Sequence, residues 1–176
     1  MSETDLPQRI YGIFESPLGG MYLVAENEAI IGAYFEGQAH FPMARDLGER
    51  KDLTDHPVLE QAARELTEYF AGTRTTFKVA LHPEGTDFQL AVWEHLKGIA
   101  YGYTTTYGAI SKVVGPHAPA QAVGQAVGRN KCSIFIPCHR VLSADGKLTG
   151  YAGGLDRKEF LLDLESPSAE EKGQLF

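Results

Sequence analysis

Ile134-Phe135-Ile136-Pro137-Cys138-His139-Arg140-Val141 sets a thiol and an imidazole side by side at the end of an apolar run. The run predicts a buried strand over 134–136. Pro137 has a fixed φ and no N–H, so ladder pairing should stop there and deliver Cys138 into a turn. A thiol becomes a strong nucleophile only when deprotonated, and a neighbouring imidazole can take its proton near neutral pH. An isolated Cys-His pair is more often a buried cysteine beside an unrelated histidine. The surroundings have to decide.

Upstream, Tyr107 to Val114 and Ala118 to Gly128 read as two short helices separated by Gly115-Pro116, the pattern of a helix-turn-helix. Ala120, Ala122, Gly124 and Ala126 would let the second helix lie close to a groove, or equally to a neighbouring helix. Further back, Thr86 is a candidate N-cap for a helix with Phe88, Val92, Trp93 and Leu96 on one face and Gly98 at its end. Downstream, Ser143 to Lys147 reads as a turn and Gly150 to Gly154 as a flexible loop. A last helix carries Phe160, Leu161 and Leu164 on one face and ends in Glu165.

The N-terminal half has a different texture. Ile10 to Phe14, Met21 to Ala25 and Ile30 to Phe35 are β-rich runs with turn chemistry between them. Residues 36–56 read as polar and irregular, Pro57 to Phe70 as a helix stopped by Gly72, and Thr75 to Leu81 as a short strand. His82 to Gly85 reads as a linker. The expected organisation is α+β: an N-terminal α/β unit over 1–82, a mostly helical unit over 83–166, and a tail over 167–176.

With 43% apolar and 22% charged residues, the chain reads as an ordinary globular protein. No apolar stretch approaches the roughly 20 residues that span a bilayer. The first residues are acidic and polar, unlike a signal peptide. Two cysteines, Cys132 and Cys138, make no disulfide framework, so a cytoplasmic location is expected. The net charge of −7 is unevenly spread: residues 1–85 hold 7 Lys/Arg against 14 Asp/Glu, and no Asp or Glu falls between Glu94 and Asp145. That acid-free stretch is either a face on which a polyanion meets no fixed negative charge or a core-rich segment.

Taken together, these residues resemble the O6-alkylguanine-DNA alkyltransferases, also called methylated-DNA–protein-cysteine methyltransferases. The resemblance rests on Ile136 to Val141, on Gly128-Arg129-Asn130 before it, and on Gly150 to Gly154 and the Arg157-to-Leu162 helix after it. It covers about residues 86–165 closely and the N-terminal half only in general character. It implies a ribonuclease-H-like N-terminal unit, minor-groove binding by the helix-turn-helix, and extrusion of the damaged base from duplex DNA. Cys138 would accept the alkyl group, His139 would take the thiol proton through a water, and Glu165 would orient the imidazole. Asn130 would bridge the turn, Tyr107 would donate to the guanine, and Tyr151, Val141 and Pro137 would wall the alkyl pocket. Ala120, Gln121, Ala122, Gly124 and Arg129 would face DNA. The product thioether is unactivated, and no second nucleophile or cofactor is in view to regenerate the thiol, so one molecule should be consumed per lesion. O4-alkylthymine is a further possible substrate.

One position departs from the family pattern. An arginine usually opens the second helix and fills the gap left by the flipped base; here the string is Gln121-Ala122-Val123-Gly124. Glutamine keeps hydrogen-bonding capacity but loses the charge and the planar fork. No cysteine precedes Cys132, so no N-terminal zinc site is expected. The protein is expected to be a monomer, and Gln174-Leu175-Phe176 resembles part of a bacterial sliding-clamp-binding peptide. Three alternatives stay open: a non-catalytic lesion-binding relative, a cysteine hydrolase, and a metal or redox site built on Cys132, Cys138 and His139.

Overall fold

The computed structural model describes residues 8–115 and 118–166. β1 (Ile10–Ser16), β2 (Gly19–Glu26) and β3 (Ala29–Phe35) form an antiparallel meander. The segment expected to be irregular adds a short helix, α1 (Ala44–Leu47), and a two-residue strand, β4 (Glu49–Arg50), parallel to β1. The sheet order is β3-β2-β1-β4. Alternation sends Met21, Leu23 and Ala25 of β2 into the main core, while Val24 and Tyr22 belong to a smaller cluster on the other face. A register shift opposite Val24 and Ala25 leaves Ile31 unpaired, so Ile30 and Ala33 both reach the main core. Gly32 is required there: a Cβ would stand 2.5 Å from the Tyr34 ring.

α2 (Pro57–Phe70) covers the main-core face, with Leu59, Ala62, Leu66 and Tyr69 fully buried. Pro57 suits the first turn, where its missing N–H costs nothing. The expected strand over 75–81 is not formed: only Leu81 bridges, to Ile30. Buried Glu65 takes the N–H groups of Lys78 and Val79 instead, so this segment finds its partners on α2 rather than in a ladder.

α3 (Asp87–Lys97) opens with a complete capping box between Thr86 and Gln89. β5 (Thr105–Thr106) leads into α4 (Tyr107–Val114), capped by the Thr106 hydroxyl. α5 runs Ala120–Gly128, two residues shorter at its start than the sequence suggests, because Pro119 takes the N-cap position in extended backbone. α4 and α5 pack as the expected helix-turn-helix, and the Trp93 indole N–H donates to the Ala126 carbonyl at 2.8 Å, tying α3 to α5. β6 (Val141–Leu142) pairs with β5, and α6 (Leu155–Glu165) closes the described chain. Its buried face is Lys158, Leu161 and Glu165, while Phe160 is exposed.

The expected strand over 134–136 is a tight turn. Ile134 sits at φ +73°, rare for a β-branched residue. The turn docks on the edge of β3: Ala33 N–H donates to Lys131 O and Ser133 N–H to Ala33 O. Leu81's neighbours cover the same edge, through Ile30 N–H to Ala80 O and His82 N–H to Ile30 O. An otherwise bare sheet edge thus supports the segment that carries Cys138.

Candidate functional site

Asn130, immediately after α5, sets the shape of the turn. Its side-chain amide donates to Ile136 O at 2.8 Å and Cys132 O at 3.4 Å, and its oxygen accepts from Cys132 N–H at 3.0 Å. Three buried backbone groups are satisfied by one side chain, which lets Ile134 hold its unusual conformation. Pro137 then ends the turn, and Cys138–Arg140 forms a single 3-10 turn. All three of its residues are buried.

Cys138 lines a cavity of about 230 Å3 together with Tyr107, Gly124, Gly150, Tyr151 and Ala152. Tyr107 comes from the start of α4, and its hydroxyl accepts a long hydrogen bond from Thr149 at 3.4 Å. Tyr151 packs tightly over Gly153, where a Cβ would stand 2.7 Å from its ring and 3.0 Å from Phe35. Pro137 and Val141, expected in the pocket wall, do not line this cavity. Pro137 lines a cleft with Phe77 and Tyr101. Val141 is fully buried, pairs with Thr105, and gives its carbonyl to Lys158.

Behind the thiol lies a buried polar cluster. His139 Nε2 is 2.7 Å from Glu165 Oε2, and Tyr69 O–H donates to the same oxygen at 2.5 Å. Arg140 adds Nε to Oε1 at 2.7 Å and Nη2 to Oε2 at 3.0 Å, and its Nη1 donates to Ile99 O. Burial alone would raise the Glu165 pKa, but hydrogen bonds from His139, Arg140 and Tyr69 outweigh it and hold the carboxyl at about 2. An ionised carboxylate only accepts, so His139 Nε2 carries the hydrogen and Nδ1 keeps the lone pair. Nδ1 makes no hydrogen bond to any described residue, which makes it the basic nitrogen.

Burial pushes the Cys138 thiol up to about 11, with the Asn130 amide and the Lys158 ammonium pulling the other way. Burial also lowers the His139 pKa, opposed by Glu165. The resting pair is therefore a neutral thiol and a neutral imidazole. This is the arrangement for passing a proton at the moment of attack rather than for storing a thiolate. Cys132 is fully buried, its thiol raised by burial to about 12, and behaves as a small core residue.

Sequence reading missed three members of this cluster. Tyr69 lies within the expected helix over 57–70 and Arg140 within the Cys-His motif, and the sequence assigns neither a role, yet both hold Glu165. Lys158 is fully buried and donates to Val141 O at 2.6 Å, Thr149 O at 2.7 Å and Gly150 O at 3.3 Å, pinning the loop that carries Tyr151. A charged residue on a charge-rich helix gives no signal that it points inward.

Of the residues expected to face DNA, Ala120, Gln121 and Arg129 are exposed, and Ala122 and Gly124 are half-buried. Gln121, Ala122, Gly124 and Arg129 line an open groove of about 860 Å3 along α5. Gly124 belongs to both this groove and the Cys138 cavity, so the two are contiguous.

Comparison with known proteins agrees with this geometry. A family model described as 6-O-methylguanine DNA methyltransferase, ribonuclease-like domain, matches residues 10–83, and its DNA binding domain counterpart matches 87–167. A methylated-DNA–protein-cysteine methyltransferase of Methanosarcina acetivorans is 46% identical, over 88% of this chain and 97% of its own. The one from Mycobacterium tuberculosis H37Rv is 40% identical over 94% of this chain and 98% of its own. The crystal structure of Mycobacterium tuberculosis OGT in complex with DNA superposes with a TM-score of 0.80 at 38% identity, covering 90% of this chain and 96% of that one. With both halves matched and the cysteine in place at the cavity, the chain belongs to the methylated-DNA–protein-cysteine methyltransferase family.

Proposed function

We propose that this protein repairs O6-alkylguanine in duplex DNA by moving the alkyl group onto Cys138, once per molecule. The observation that carries the reading is Cys138 in the wall of a cavity that Tyr107 and Tyr151 also line, followed in sequence by His139, which is fully buried and paired with Glu165 at 2.7 Å. The groove along α5 receives the duplex, and the damaged base turns out of the stack into the cavity, because the alkylated oxygen otherwise faces its pairing partner. The Cys138 sulfur attacks the alkyl carbon while its proton passes, through a water, to His139 Nδ1. The carbon–oxygen bond breaks and its electron pair returns to the guanine, which takes a proton from the Tyr107 hydroxyl. Glu165 stabilises the imidazolium that forms. S-alkyl-cysteine remains, and water does not cleave it.

The division of labour follows the chain: residues 1–82 support the acceptor turn, and 83–166 bind DNA and carry the nucleophile. The protein acts as a monomer in the cytoplasm. Gln174-Leu175-Phe176, outside the described residues, is the proposed sliding-clamp contact, and equal clamp binding without 174–176 removes it.

Duplex DNA carrying methyl-labelled O6-methylguanine tests the main reading. Label should appear on Cys138 in a one-to-one limit and vanish in Cys138→Ala. Binding without transfer points to a lesion-binding relative, and turnover beyond one equivalent overturns the mechanism.

A further inference from the structure

His40 stands where three concavities of the molecule meet. It lines the Cys138 cavity, the groove along α5, and a cleft of about 440 Å3 between the N-terminal sheet and the residues after α5. No other described residue belongs to all three. It comes from the connection after β3, so it is an N-terminal residue placed against the C-terminal site. Two contacts hold it there. Ala39 N–H donates to Ala152 O at 2.9 Å, joining this connection to the loop beside Tyr151. The buried Gln38 side chain accepts from Phe35 N–H and donates to Ala39 O. His40 itself has φ +59°, a left-handed conformation that histidine adopts at a cost, and its side chain is exposed.

Building on the alkyl-transfer reading, we propose that His40 is a positioning residue that binds a backbone phosphate of the extruded nucleotide. The strand that delivers a base from the α5 groove to Cys138 has to pass the junction of groove and cavity. Its phosphates stay outside the cavity, which is small, about 230 Å3, is walled by the Tyr107 and Tyr151 rings, and has no charged side chain among Tyr107, Gly124, Gly150, Tyr151 and Ala152. They remain at the rim, and His40 occupies that rim opposite α5. The His40 imidazole makes no hydrogen bond to the described residues, so an N–H is available to a phosphate oxygen. Arg129, which shares the groove and the cleft with His40, supplies positive charge to the same path. The N-terminal half would then take part in engaging the lesion as well as supporting the turn.

The test couples a protein change to a DNA change. His40→Asn removes the imidazole but keeps a residue that tolerates positive φ, so the connection keeps its shape. On the DNA, a neutral methylphosphonate replaces the phosphate on the 5′ or the 3′ side of O6-methylguanine. Methyl transfer to Cys138 is followed in a single turnover, below saturating DNA. With ordinary duplex, His40→Asn should lose about tenfold in rate, the worth of one charge-assisted hydrogen bond. Wild type should lose a similar factor on one of the two methylphosphonate duplexes. On that same duplex the variant should lose little more, because both changes remove one contact. If the two losses multiply, or His40→Asn repairs ordinary duplex at the wild-type rate, the proposal is wrong. A loss in His40→Asn and in a His40→Ala control that is the same size on ordinary duplex and on both methylphosphonate duplexes would also overturn it. Absence of any methyl on wild-type Cys138 would instead overturn the alkyl-transfer reading itself.

Discussion

Arg140 and Glu165 form a two-pronged ion pair in the protein interior, Nε to Oε1 at 2.7 Å and Nη2 to Oε2 at 3.0 Å. The pair explains how a carboxylate can stay ionised beside a histidine that is itself buried. The guanidinium neutralises Glu165, the Tyr69 hydroxyl fills a further lone pair, and His139 receives a fixed acceptor. Orientation of the imidazole is thus secured by residues from three separate elements.

Glu165→Gln keeps the shape of this cluster but not its charge. Arg140 would then be a buried cation without a counter-ion, a change that costs about 3–5 kcal/mol when one partner of a buried pair is removed. The melting temperature should fall clearly, and methyl transfer should slow at temperatures where the variant remains folded. Arg140→Met with Glu165→Gln, which removes both charges, should recover part of the stability but not the rate. An unchanged melting temperature in Glu165→Gln would show that the pair does not hold the fold.

Stability should show a plateau in pH with three distinct edges. The His139 pKa is lowered by burial, so the folded state binds fewer protons; stability is full above the unfolded value of about 6.5 and falls as pH drops below it. Glu165 is held at about 2, below the ordinary carboxylate value of about 4.3, so its contribution is full above that value and is lost as pH falls toward 2. The Cys138 thiol is raised by burial to about 11, so stability declines again above the ordinary thiol value of about 8.5. Denaturant titrations between pH 3 and 10 check this (roughly the range these pKa values span). The same raised thiol predicts slow reaction with iodoacetamide at pH 7. Rapid labelling of Cys138 there would contradict a neutral resting thiol.

Lys158→Met replaces a buried ammonium by an apolar chain of similar length. Three carbonyls, of Val141, Thr149 and Gly150, lose their donor. Unsatisfied buried acceptors cost about 1–3 kcal/mol each, partly offset because the ammonium no longer has to be desolvated. The 149–151 loop should loosen first, which amide exchange at Gly150 and Tyr151 would report. Repair should slow more than global stability falls, since Tyr151 walls the cavity. Equal exchange in variant and wild type would mean that the loop is held by other contacts.

How much of this was legible depends on whether the signal was local. α2 and α3 declare themselves through periodicity, Pro57, and the Thr86–Gln89 box, all within a few residues. The turn over 132–136 does not, because Ile134-Phe135-Ile136 has the composition of a strand, and only the Asn130 side chain bends it otherwise. Cys138, His139 and Glu165 were found because their motif is contiguous or family-like. Tyr69 lies 96 positions from the carboxylate it donates to, and nothing local marks it. Of the wall residues that the resemblance implies, Tyr151 lines the cavity, whereas Val141 pairs with Thr105 and gives its carbonyl to Lys158, partners from distant parts of the chain.

Gln121 is where the sequence departs from its family, and the structure sharpens what restoring arginine should do. The residue is exposed in the first turn of α5 and lines the groove, and its side chain makes no hydrogen bond to any described residue. A longer side chain meets no packing obstacle there, so Gln121→Arg should leave the melting temperature of the free protein within about 1 °C, as surface changes usually do. The family resemblance implies that the gap left by an extruded base takes a side chain from this position, where a guanidinium would bring charge and a planar fork to stacked, electronegative surroundings. Duplex affinity and single-turnover repair rate should both rise, by about fivefold to tenfold. The gain should shrink as salt is raised, since part of it is electrostatic. If affinity and rate both stay at the wild-type level, Gln121 does not occupy the gap, and extrusion of the base must be supported from elsewhere along α5.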